Sequence, residues 1–150
     1  MPEARARLIL AFDFGLRRIG IASGDTVSAT AAPCTAINVN SDGVDWPAIE
    51  RLLRQFQPDV LIVGNPRNED GSPGLLSASA DEFASELARR AHRSVQRTDE
   101  FASSLEAAAR LKGQRASGQR RRRVQRADID SAAAAIILER WLMGEGRSDD

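Results

Sequence analysis

Residues 7–14, RLILAFDF, form an almost unbroken apolar run, the pattern of a central strand buried on both faces. Strand alternation sets Ile9, Ala11 and Asp13 on one face, and Leu8, Leu10, Phe12 and Phe14 on the other. Residues 15–18 suit a turn, IGIAS at 19–23 reads as the second strand of a hairpin, and a third strand is expected between 26 and 39, interrupted near Pro33. The period then lengthens. Trp46, Ile49, Leu53 and Phe56 recur on one helical face, with Asp45 placed to cap it, Pro47 tolerated in the first turn and Pro58 ending it. Val60 to Val63 predict a short buried strand, closed by Gly64-Asn65-Pro66, and the turn-formers of 65–74, NPRNEDGSPG, predict an exposed loop.

A second helix is expected from Leu76 to about Ala91, with Leu76, Ala80, Phe83 and Leu87 inward, followed by a weaker strand, SVQRTDE, ending at Glu100. Ser103 and Glu106 have capping-box spacing and start a short helix to about Leu111. Residues 113–126 carry little apolar content and two glycines, predicting a mobile basic loop; a last helix runs from Asp128, read as its N-cap, to about Met143, before a polar tail over 144–150 expected to be disordered. The order predicts an α/β fold: a mixed five-stranded sheet, antiparallel through strands 1–3, with strands 1, 4 and 5 parallel through right-handed crossovers and helices on the flanks.

A chain of 150 residues makes one domain of this kind, 1–150, without internal repeats. No apolar run approaches the roughly 18 residues of a membrane span, and the N-terminal MPEARARLIL lacks the apolar stretch and cleavage site of a signal peptide. Cys34 is the single cysteine, which excludes an internal disulfide and a thiolate metal cluster. A cytoplasmic protein with no membrane partner is expected. Zero net charge conceals an asymmetry: residues 110–126 hold eight basic groups and no acid, against 13 basic and 21 acidic groups elsewhere. Such a patch attracts polyanions.

The chemistry points to carboxylates. A carboxylate on a buried strand face, as at Asp13, is costly unless paired, hydrogen-bonded or metal-bound, and carboxyl ends of central strands are where α/β folds place ligands. Its structural alternative is a satisfied strand-end aspartate. Asp130 shares the inward stripe of the last helix with Ala134, Ile137, Leu138 and Trp141, at the end where the dipole favours negative charge. Asp99 and Glu100 adjoin, so pleating sends them to opposite sides and at most one faces the same place. Converged, such acids form a pocket for Mg²⁺ or Mn²⁺, and a pair of ions about 3.5–4 Å apart can drive phosphodiester hydrolysis. His92 is the only histidine and reads as a surface residue, there is no tyrosine, and Cys34 has no evident base, so the sequence offers little for nucleophilic catalysis by a Ser–His or Cys–His pair. Arg120, Arg121, Arg122 and Arg123 offer a grip on a phosphate backbone, positioning it without reading sequence.

With these residues in view, the chain resembles the YqgF family, also called RuvX: pre-16S rRNA nucleases related to RuvC-type Holliday junction resolvases. Four segments carry the resemblance: LAFDFGLRRIGIA (10–22), IVGNPRNEDG (62–71), TDEFASSLEA (98–107) and DIDSAAAAIILERWL (128–142). It implies an RNase H-like fold and a divalent-metal nuclease trimming the 5′ end of the small-subunit rRNA precursor, with Asp13, Glu100 and Asp130 as both catalytic acids and metal ligands. The choice of Glu100 over Asp99 comes from the resemblance alone. Two positions depart from the family pattern: Phe101 stands where an arginine is usual after Asp-Glu, and Asn65 where a leucine is usual between Gly and Pro.

The expected partner is RNA in a pre-ribosomal particle or branched DNA, and the protein a monomer or homodimer. A non-catalytic RNA-binding module would keep the fold and basic loop without cleavage. A nucleotide-binding switch is a third reading, from Asp13-x-Gly15-x-x-x-x-Gly20, though such ATPases need a second domain. The nuclease reading requires Asp13 and Asp130 to meet, with no arginine neutralising the space between them.

Overall fold

The computed structural model describes residues 7–65, 74, 76–100, 102–120 and 123–144. Their order is β1 (Leu8–Phe14), β2 (Arg18–Asp25), β3 (Thr30–Asn40), β4 (Gly43–Val44), α1 (Trp46–Phe56), β5 (Val60–Gly64), α2 (Ser77–Ala91), β6 (Val95–Thr98), α3 (Ser104–Ala116) and α4 (Arg126–Met143). The strands form one sheet in the order β4-β3-β2-β1-β5-β6. β1 to β4 pair antiparallel in sequence, while β5 runs parallel to β1 and β6 parallel to β5.

The sheet thus has six strands rather than the expected five. The extra one is two residues long, folding back on Val39 and Asn40 through Gly43 at φ 107°, too short for any periodicity to reveal. β3 is also continuous through Pro33, because the register shifts there: Ile21 pairs with Thr35, Ala22 with Pro33, and Cys34 is the extra residue. A bulge is where a strand tolerates a residue without an N–H.

Alternation along β1 sorts the two cores as expected. Leu10, Phe12 and Phe14 pack with Ile49 of α1 and Ala80, Phe83 and Leu87 of α2. There the Phe83 ring lies 5.3–5.7 Å from the rings of Phe12, Phe14 and Trp46. On the other face Ile9, Ala11, Val60 and Ile62 meet Ala134, Leu138, Trp141 and Leu142 of α4. α4 is in turn covered by α3, through Ala132, Ala133 and Ile136 against Ala107 and Leu111. Ion pairs Arg110–Glu139 and Arg140–Glu106 cross between the two helices.

Two helix boundaries differ from expectation. Ser103 caps α3 through the Glu106 N–H at 3.0 Å, but the helix runs to Ala116, into the segment expected to be loop. Leu111 anchors it on α4, and Gly113 projects where nothing lies within 4 Å, so its cost is only that of glycine propensity, about 1 kcal/mol. α4 begins at Arg126, with Gln125 as N-cap. Asp128 is not the cap but the third helical residue, whose carboxylate accepts the Gln125 N–H at 2.9 Å. The 65–74 loop (apart from Asn65 and Gly74), Phe101, Arg121, Arg122 and the tail beyond Gly144 lie outside the described residues.

Candidate active site

The parallel strands β1, β5 and β6 all end at one edge of the sheet, and α4 starts there. Asp13 is the penultimate residue of β1 and pairs across the hairpin with Gly20. Gly20 is where α4 touches the sheet: a Cβ at this position would lie 2.0 Å from the backbone oxygen of Asp130. Only a residue without a side chain lets the first turns of α4 descend onto β2. That contact brings Asp130 beside Asp13, two acids 117 positions apart in sequence.

The pair is electrostatically uncomfortable. Asp13 is half-buried, and among the described residues no hydrogen bond reaches its carboxyl. Burial first, and the Asp130 charge second, push Asp13 from an ordinary 3.8 up to about 7. A like charge and a desolvated environment both favour the neutral acid.

The sequence reading missed Arg18. Its Nε donates to Asp130 Oδ2 at 2.5 Å, with side chains 26% and 25% exposed. The signal was present: Arg18 has the parity of Gly20 and Ala22 on β2, and Gly20 pairs with Asp13. Arg18 therefore faces α4 as Asp13 does. An arginine thus sits on one of the two acids, the kind of contact the sequence reading set against a metal cup, while the Asp130 charge remains one of the causes that raise Asp13.

Glu100 follows the end of β6 rather than ending the strand. Its backbone oxygen would lie 3.4 Å from a Cβ built on Gly64, beside Ile137 of α4, and its N–H donates to Thr98 Oγ1 at 3.1 Å. The chain therefore crosses the end of β5 on the α4 side. Asp99 is drawn elsewhere: its Oδ1 accepts from Asn65 Nδ2 at 2.8 Å. The Asn65 oxygen accepts from Arg97, which also pairs with Asp81 of α2 and donates to the Val63 carbonyl at 3.3 Å. Asn65, one of the departures from the family pattern, thus links the ends of β5 and β6.

Among the described residues, no three acidic, histidine or cysteine side chains gather within range of a single ion. Asp13 lies near enough to Asp130 to feel its charge, and no third acid completes a cluster with them among the described residues. The two carboxylates are hard oxygen donors, one of them already paired with Arg18, and Mg²⁺ is usually held by one or two carboxylates with waters and substrate phosphate. The residues present fit such an ion.

The basic segment divides. Arg120 turns inward: its Nη2 donates to Asp128 Oδ2 at 2.6 Å, both side chains 17% exposed. It fastens the segment to the start of α4. Lys112, Arg115, Arg123 and Arg126 are exposed.

Residues 7–144 match the family model described as RuvX, Holliday junction resolvase. A "Putative pre-16S rRNA nuclease" of Xanthomonas axonopodis pv. citri is 43% identical over 146 residues, covering 95% of this chain and 94% of that one. A protein of the same name from Xylella fastidiosa is 42% identical over the same shares. Among solved structures, Thermus thermophilus RuvC bound to a Holliday junction superposes with a TM-score of 0.52 at 14% identity, covering 93% of this chain and 96% of that one. The yeast mitochondrial Holliday junction resolvase Ydc2 gives 0.53 at 12% identity, covering 93% and 79%. At such identities the likeness concerns fold, and that fold is RNase H-like, as the resemblance implied. No described helix is long and apolar enough to cross a membrane.

Proposed function

The chain belongs to the RuvX family and is a nuclease, a hydrolase of phosphodiester bonds; on that premise we propose that it is metal-dependent and trims the 5′ end of the small-subunit ribosomal RNA precursor in the cytoplasm. The observation that carries the metal dependence is the Asp13–Asp130 pair, two like charges held together with one carboxyl pushed up to about 7. Such an arrangement costs stability unless a cation is bound.

Asp13 and Asp130 would hold Mg²⁺ or Mn²⁺, with Glu100 as a third ligand reached from the end of β6. When bound, the ion supplies Lewis-acid activation of water and charge neutralisation at the leaving oxygen. Asp13 stays ionised in the loaded site because a neighbouring cation favours the charged form. The α4 N-terminus keeps Asp130 at the edge of the cup, and Gly20 sets its height above the sheet. The exposed Lys112, Arg115, Arg123 and Arg126 draw the nucleic-acid backbone without sequence preference.

The test is cleavage of a 5′-extended small-subunit rRNA precursor by purified protein, with Mg²⁺ or with EDTA, beside a four-way DNA junction. Cleavage of the precursor that needs the ion and disappears in Asp13→Asn, Asp130→Asn and Glu100→Gln is the expected result. Preference for the junction moves the substrate to branched DNA. Undiminished cleavage by folded Asp13→Asn overturns the assignment of the site.

A further inference from the structure

The ion pair between Arg18 and Asp130 is single-toothed. Only Nε of Arg18 is engaged, on Oδ2 of Asp130 at 2.5 Å. Neither terminal nitrogen makes a hydrogen bond to the described residues, and the second oxygen of Asp130 likewise accepts none. Arginine commonly meets a carboxylate with two parallel N–H groups. Here the guanidinium meets Asp130 through Nε alone, which leaves its terminal N–H groups uncommitted among the described residues, on a side chain 26% exposed. Arg18 is the first residue of β2, fixed by pairing with Asn38 of β3, so its Cα is set by the sheet rather than by a loop.

Resting on the nuclease reading above, we infer that Arg18 is a phosphate-binding residue of the active site, aimed by Asp130. Asp130 fixes the orientation of the guanidinium through Nε, and the terminal nitrogens hold a non-bridging oxygen of the phosphodiester beside the cup. A planar cation held along one edge loses little freedom on meeting a phosphate, so less binding energy is spent on ordering it. The same contact leaves one oxygen of Asp130 for a divalent ion, so the two roles of Asp130 do not compete. Arg120, by contrast, is buried against Asp128 and is turned away from such work. Among the described residues, the cation paired with the acids therefore comes from β2.

The experiment uses a fluorescein-labelled RNA hairpin with a single-stranded 5′ extension, bound in EDTA and followed by anisotropy against salt. Arg18→Gln keeps a hydrogen-bonding side chain, and thermal melting establishes that it is folded. One lost phosphate contact weakens binding about sixfold near 0.1 M salt and shallows the log–log salt slope by about 0.7–0.9. The aiming role makes a sharper demand. In an Asp130→Asn background Arg18 is no longer held by a charge, so the effect of Arg18→Gln shrinks; an independent surface cation would show the same loss in both backgrounds. Arg18→Lys, a point charge that cannot serve both partners, recovers less than half of the lost affinity.

Unchanged affinity and slope in Arg18→Gln overturn the inference while wild-type binding leaves the nuclease reading standing. Equal losses with Asp and Asn at 130 overturn the aiming by Asp130. Failure of the wild-type protein to bind the hairpin at low salt removes this inference and the proposed RNA substrate together.

Discussion

Replacing Asp13 by asparagine should stabilise the metal-free protein while destroying its activity. An acid carried from 3.8 to about 7 costs roughly 4 kcal/mol to ionise in place, at 1.36 kcal/mol per tenfold change. Its partial exposure lets solvent screen part of that, leaving about 2–4 kcal/mol at alkaline pH. Asparagine has the same shape, carries no charge and does not repel Asp130. The pH dependence has a definite sign. Between 3.8 and about 7 the folded state keeps the Asp13 proton that the unfolded chain releases, so wild-type stability falls as pH rises through that window. The advantage of Asp13→Asn grows accordingly, by about 1–3 kcal/mol between about pH 5 and pH 8. Urea denaturation of both proteins in EDTA at the two pH values measures it. Adding Mg²⁺ or Mn²⁺ at the higher pH should then raise the wild-type midpoint and leave that of Asp13→Asn nearly unmoved, because only a folded site binds the ion. An asparagine variant that is less stable than wild type, or whose advantage is flat with pH, refutes the electrostatic account of the site.

Other perturbations separate architecture from chemistry. Gly20→Ala puts a methyl against the Asp130 backbone and should cost roughly 3 kcal/mol, at the upper end of overpacking, seen as a lowered urea midpoint. Arg120→Ala removes a charge-assisted hydrogen bond to Asp128, which keeps the Gln125 N–H, and should cost about 1.5–3 kcal/mol of stability, whereas Arg123→Ala should leave melting unchanged and weaken RNA binding. Asn65→Leu breaks the side-chain link from Arg97 to Asp99 while the backbone bond from Asn65 to Thr98 remains; precursor cleavage should fall more than stability does, compared by turnover and melting of the same sample.

The halves of this molecule differ in how legibly the sequence announces them. β1 is buried on both faces, so its apolar run and the alternation around Asp13 had one consistent reading. The stripe through Asp130, Ile137 and Trp141 was likewise periodic enough to place the acid on the inner face of α4. Arg18 was readable by the same parity rule, but an arginine beside a turn looks like solvated charge until Gly20 is known to pair with Asp13. Helix α3 beyond Leu111 was not readable, because what holds it is packing of Ala107 and Leu111 on α4, not propensity across Gly113. The inward turn of Arg120 was equally hidden. It depends on a reversal at Ser117–Gly118, with Gly118 at φ 86°, and on a partner eight positions later.

The claim beneath all of this is that Asp13 and Asp130 are kept together for an ion to join them. Crystals of the wild-type protein grown with Mn²⁺ and measured at the manganese edge test it directly. Anomalous density between the carboxyl groups of Asp13 and Asp130, with the Glu100 side chain drawn toward it, is the predicted result. Full manganese sites elsewhere on the molecule, with none between those two carboxylates, would contradict it.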